Sequence, residues 1–182
     1  MAKAKKDAVW KSILVLAAIA LCSGLLLGFF HVITYVDPRQ SAYDRFAEDT
    51  GASFSEMADE EGASYESGSV VYYALSDDGE WRAFLASGSG GYGGAVQVYL
   101  YFRGSVLEKI AVGENGETFL GNLESANFYD QFLGKDIAAL DGLNADLVSG
   151  ATKSSTAVAN AIAAAVRYWN ENVAGGETNE SA

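Results

Sequence analysis

The chain has 182 residues, with 24 Asp and Glu against 12 Lys and Arg and a formal net charge of −12 at pH 7. That length holds about one ordinary domain plus an appendage, and the acidity argues against nucleic acid as a partner. The one cysteine, Cys22, and the one histidine, His31, both fall in an N-terminal apolar run. The rest of the chain therefore has no means to build a disulfide, a thiolate iron–sulfur cluster, a c-type haem or a His/Cys metal centre.

No residue from Ser12 to Val36 is charged, and about 20 apolar residues suffice for a helix to cross a bilayer. Trp10 and Tyr35 stand at its two ends, where amphipathic rings prefer the headgroup level. Lys3, Lys5, Lys6 and Lys11 precede the run, whereas Arg39 and Arg45 follow it mixed with Asp37 and Asp44. The positive-inside rule then puts residues 1–11 in the cytoplasm, a lipid-embedded helix over 12–36, and the remainder outside the cell membrane. A cleavable signal peptide shares this layout. The run is too long for an h-region, and in Ala20-Leu21-Cys22-Ser23 a Leu occupies the position where a lipoprotein signal needs a small residue. His31 reads as an interfacial residue, with a proton relay as the alternative. Of the 12 basic residues 8 lie beyond Lys11, and of the 24 acidic residues 23 do, so the outer part carries about −15.

Asp37-Pro38-Arg39-Gln40 has the signs of a helix start, with Asp as N-cap and Pro at the first position. A helix to about Glu48 follows, with Tyr43, Phe46 and Ala47 on one face, joined to the membrane helix through a bend at Pro38. Residues 37–68 are read as this juxtamembrane helix and a Gly-, Ser- and acid-rich linker, with a short helix over Met57–Glu61. From Ser69 the period becomes two. The runs 70–75 and 81–85 flank Asp77-Asp78-Gly79, and the runs 95–102 and 106–112 flank Arg103-Gly104, which predicts two hairpins and an antiparallel sheet with one face needing cover.

Helical periodicity over Asn122–Leu133, ending before Gly134, predicts one helix of that cover. The last helix is expected from near Ser155 to about Asn172, with Val158, Ile162, Ala165, Val166 and Trp169 on one stripe. The fold class is α+β: a folded domain over 69–174, an antiparallel sheet backed by helices, and a flexible tail over 175–182.

Three segments carry chemistry. Ser89-Gly90-Gly91-Tyr92-Gly93-Gly94 precedes a strand, and such glycines let backbone approach a flat ligand; the bland alternative is a flexible turn. Gly116-Glu117-Thr118-Phe119-Leu120-Gly121 leads to Phe128-Tyr129-Asp130-Gln131-Phe132-Leu133-Gly134-Lys135. Asp146-Leu147-Val148-Ser149-Gly150-Ala151-Thr152-Lys153-Ser154-Ser155 then opens the last helix, where free N–H groups and the helix dipole stabilise a phosphate. Its bland alternative is a Ser/Thr-rich cap. It is not a Walker A loop, because Lys153 follows Thr and not Gly.

The run D-x-x-S-G-A-T resembles the flavinylation motif of the FMN-binding domain family. With the Y-G-G loop, the E-T loop and the aromatic F-x-G-K stretch in the same order, the chain resembles the G subunit of the Rnf electron-transport complex. The resemblance spans residues 89–169 and the anchor. The C subunit of the Na⁺-translocating quinone reductase shares the domain. One departure is that Phe119 stands where the family has Pro-Gly.

The resemblance implies covalent FMN on Thr152 through a phosphoester, with Ser149, Gly150 and Ala151 small enough to admit a flavin transferase and the phosphate. It implies Asp146 in transferase recognition. Ser154 and Ser155 would serve as phosphate donors with Lys153 nearby, and Tyr92, Gly93, Gly94, Glu117 and Thr118 as pocket residues. No catalytic acid–base residue and no metal are expected. The implied role is electron relay between reduced ferredoxin and NAD⁺, coupled to Na⁺ or H⁺ movement, with other membrane subunits as partners and no turnover by the isolated chain. The alternatives are a C-type subunit of a Na⁺-translocating quinone reductase, a free-standing flavinylated carrier outside the cytoplasm, and a non-redox membrane-anchored sensor or adhesion domain.

Overall fold

The computed structural model describes residues 2–55 and 62–174. The chain divides into two units, one up to Gln40 and one from Ser41.

In the first unit, helix α1 runs Ala2–Thr34, about 50 Å at 1.5 Å per residue. Its apolar side chains, Leu14, Leu27 and Val32 among them, stand 69%, 72% and 77% exposed, a surface that water would not tolerate. It is long and apolar enough to cross a membrane. The expected continuity through a bend is not observed: Tyr35–Asp37 are non-helical, and helix α2 starts anew at Pro38 and ends at Thr50. The residue before a proline is pushed out of the helical region, and the Asp37 carboxylate accepts the Arg39 N–H at 2.9 Å, as an N-cap should.

The second unit is built on a four-stranded antiparallel sheet of β1 (Gly68–Leu75), β2 (Trp81–Gly88), β3 (Val96–Arg103) and β4 (Val106–Val112), adjacent in sequence order. Both expected hairpins form, and β2 pairs with β3, Phe84 facing Leu100. The period-two pattern sorts the side chains as anticipated. Val96, Val98, Leu100 and Phe102 enter the main core, while Tyr101 and Tyr99 belong to a second cluster on the opposite face.

That opposite face is covered too, contrary to the expectation of one face needing cover. Ala42, Tyr43 and Phe46 of α2 are buried in the second cluster, and the Tyr43 hydroxyl donates to the Tyr73 carbonyl at 3.1 Å. An amphipathic helix that buries three residues against Tyr101 shields the aromatic face that alternation alone would leave wet.

The main core face is covered by helix α5, Thr152–Tyr168. The stripe Val158, Ile162, Ala165, Val166 and Trp169 is buried as expected. The helix begins three residues before the expected start and passes after Tyr168 into a π-helical turn, Trp169–Val173. Its alanines permit backbone-to-backbone contact: a Cβ on Gly88 would lie 1.8 Å from the Ala157 carbonyl oxygen.

The expected helix over Asn122–Leu133 is instead two pieces, α3 (Leu120–Ser125) and a 3₁₀ turn, Phe128–Gln131. Asn127 at φ 52° breaks it; Asn tolerates the left-handed region better than most residues. The break lets Leu123, Phe128 and Phe132 all reach the core. Helix α4, Ile137–Leu140, is capped by the Asp136 carboxylate, which accepts the Ala138 N–H at 2.9 Å. The anticipated short helix at Met57–Glu61 and the tail over 175–182 lie outside the described residues.

Candidate functional site

The three motif segments meet at the N-terminus of α5. Gly150, at φ 81°, turns the chain with open space where a Cβ would stand, so its role is conformational. Ala151 then caps the helix and is 3% exposed, and the first helical bond runs from the Ser155 N–H to the Ala151 carbonyl at 2.9 Å. The N–H groups of Thr152, Lys153 and Ser154 therefore lack an intrahelical acceptor. Thr152, the first residue of the helix, is exposed, and its hydroxyl makes only a 3.4 Å contact with the Val148 carbonyl.

Beside it lies an open cleft of about 250 Å³ lined by Tyr92, Phe119, Gly150, Ala151, Thr152, Lys153 and Ser154. Tyr92 is 75% exposed and Phe119 44%. These two rings share the cleft with a cationic side chain and an accessible hydroxyl.

Glu117 ties the segments together. Its Oε1 accepts the Gly93 N–H at 2.5 Å, and its Oε2 accepts the hydroxyl of Ser154, which is 2% exposed. The Gly-rich loop and the Gly116 loop are in backbone contact there: a Cβ on Gly93 would lie 2.1 Å from the Gly116 carbonyl oxygen, and one on Gly91 2.6 Å from Glu117 Oε1. Gly94, at φ 116°, has open space instead.

The anticipated site residues thus fall into distinct positions. Tyr92, Gly150, Ala151, Thr152 and Ser154 line the cleft. Gly93 and Glu117 are not among the lining residues; Glu117 joins Gly93 to the lining residue Ser154. Thr118 is exposed on the adjoining loop. Ser155 is fully buried, and its hydroxyl is committed to the Ala151 and Thr152 carbonyls at 2.9 and 3.0 Å. Asp146 and Ser149 line a different cleft, with Asn127, Phe128 and Gln131. Phe119 also lines the cleft, a placement that residue type and spacing do not reveal. No cluster of metal-ligating side chains occurs among the described residues.

Residues 91–167 match the model of the FMN-binding domain family. No curated protein and no solved structure matches the chain. The matched segment runs from the Gly-rich loop through nearly all of α5, and so contains every residue of the cleft. The match makes this segment similar to FMN-binding domains; it supports FMN as the cofactor and suggests a flavin-based electron-transfer role.

The cleft fits such a group. It offers two accessible aromatic rings for a flat ring system, three free helix N–H groups with a lysine for a phosphate, and small residues at 150 and 151 that leave the approach open. FMN, when bound, supplies one- or two-electron transfer that requires no acid–base triad from the protein.

Proposed function

We propose that this chain is an electron-transfer subunit that carries FMN as a phosphoester on Thr152 and serves an Rnf-type membrane complex. In this reading α1 anchors the chain with residues 1–11 in the cytoplasm, and the sheet domain works outside. The complex passes electrons between reduced ferredoxin and NAD⁺ and couples them to Na⁺ or H⁺ movement. Other membrane subunits supply donor and acceptor, and a flavin transferase loads the cofactor.

The observation that carries the reading is the convergence of the Gly-rich loop, the Glu117 loop and the S-G-A-T turn on a cleft in which Thr152 presents an accessible hydroxyl. A covalent link removes the need for a deep pocket, which suits an open cleft. Lys153 and the free N–H groups at 152–154 neutralise phosphate charge.

Intact and peptide mass spectrometry of protein co-produced with a flavin transferase tests the attachment. The expected result is a gain of one FMN less one water on the peptide bearing Thr152; an unmodified peptide, with the transferase active on a control, overturns it. Purification from the native membrane tests the partners. Co-purifying ferredoxin:NAD⁺ oxidoreductase subunits support the Rnf assignment, quinone reductase subunits favour the C-type alternative, and no partners favour a free-standing carrier.

A further inference from the structure

The segment Asp146–Ser149 has no regular structure, yet side chains grip it at both ends. Gln131, in the 3₁₀ turn, aims its carboxamide at the Asp146 backbone: Oε1 accepts the Asp146 N–H at 2.8 Å and Nε2 donates to the Asp146 carbonyl at 3.3 Å. The same Nε2 donates to the Phe128 carbonyl at 2.9 Å, which fixes the carboxamide to its own turn. A side chain thus supplies the donor–acceptor pair that a neighbouring strand would give. At the other end, Ser155 Oγ accepts the Val148 N–H at 3.3 Å. Between the two grips Leu147 stands 46% exposed beside the open cleft of about 390 Å³.

We propose that Gln131 is a positioning residue for the modification of Thr152, holding Asp146–Ser149 in the exposed conformation that a flavin transferase binds. The inference rests on the covalent reading above. Transfer from a flavin dinucleotide forms the Thr152 Oγ1–P bond and breaks the P–O–P link; AMP leaves and the hydroxyl proton passes to a base of the transferase. Gln131 is hydrogen-bonded to the Asp146 backbone and not to Thr152, so it acts through that backbone. A segment ordered in advance spares the transferase the ordering cost on binding, an effect that falls on KM and not on kcat.

The test uses the full chain in detergent, a purified transferase and flavin dinucleotide, with covalent flavin read on denaturing gels at varied protein concentration. Gln131→Met keeps the shape and loses every hydrogen bond, and Gln131→Glu keeps the acceptor for the Asp146 N–H. Gln131→Met is expected to raise KM about tenfold with kcat within about twofold of wild type, the size expected for losing the two hydrogen bonds to the Asp146 backbone. Gln131→Glu puts a carboxylate oxygen against the Asp146 and Phe128 carbonyls where Nε2 donated, and should raise KM at least as far. Amide exchange at Asp146 should quicken in both variants.

A folded Gln131→Met protein with wild-type KM, or one that loses kcat alone, overturns the proposal. Where Gln131→Met does not fold, Gln131→Glu decides: a raised KM supports the grip and a wild-type KM overturns it. A wild-type chain that gains no flavin from an active transferase overturns the covalent reading itself, a failure distinct from the others.

Discussion

The Glu117 carboxylate accepts a hydrogen bond from the hydroxyl of Ser154, 37 positions further along the chain, and its other oxygen holds the Gly93 N–H. One half-buried side chain therefore joins the Gly-rich loop to the first turn of α5. Removing it leaves a buried hydroxyl and a loop N–H without their acceptor. Glu117→Ala is expected to lower stability by about 1–3 kcal/mol and to loosen the cleft, measured by thermal unfolding and by amide exchange over residues 91–94. Unchanged exchange there would show that the loops hold without the strut.

Thr152 is exposed and its hydroxyl has only the long contact to Val148. Thr152→Ala should leave stability within about 0.5 kcal/mol of wild type while abolishing flavin that survives denaturation. Thr152→Ser, which keeps a hydroxyl, should retain measurable modification. Covalent flavin in the alanine variant would move the attachment elsewhere.

Tyr92 and Phe119 are open to solvent at the mouth of the cleft. Alanine at either position should change stability by no more than about 0.5 kcal/mol. In flavin-loaded protein, loss of ring contact should raise flavin fluorescence, and the double variant should raise it most. Identical spectra in all three variants would place the ring system away from both side chains.

At Gly88 an added Cβ would stand 1.8 Å from the Ala157 carbonyl oxygen and 2.5 Å from the Ala161 nitrogen. Both are helix backbone, so α5 must move off β2. Gly88→Ala is expected to cost at least about 1–3 kcal/mol, read as a lowered thermal midpoint. Gly121→Ala is the control: it lies in helix α3 with nothing within 4 Å of the added carbon, and should be neutral or stabilise by up to about 1 kcal/mol.

Asp49, near the end of α2, accepts hydrogen bonds from the Tyr101 hydroxyl at 2.5 Å, Lys109 Nζ at 2.9 Å and Arg45 Nε at 2.8 Å. Burial alone would push its carboxyl up, but the three donors outweigh it and hold it at about 2. Stability from a carboxyl depressed on folding is fully present above its unfolded pKa, near 4. It is lost as pH falls through the folded value. The difference in thermal midpoint between wild type and Asp49→Asn should therefore be full at pH 6 and close between about pH 4 and pH 2. A difference that persists at the acid end would mean that shape, not charge, sets the contribution of Asp49.

Much of this architecture was legible in the residues alone, because its causes are local. A charge-free run between lysines and an Asp-Pro start marks an apolar helix; period-two alternation in 96–102 marks a strand and sorts its faces; the stripe from Val158 to Trp169 marks the covering helix. Gly150 before Thr152 marks a turn into a helix. Tertiary structure decided what depends on the path of the chain. Nothing in spacing reveals that α2 closes the second sheet face, that Asn127 splits a helix whose pattern runs on, or that Glu117 reaches both Gly93 and Ser154. Nor does it show that Gln131 stands in for a strand beside Asp146, or that the Ser155 hydroxyl turns inward and not toward the cleft. Periodicity records which side of an element is apolar. Which loops meet depends on how whole elements pack, since hydrogen bonds between distant segments form only after the core has brought them within about 3 Å.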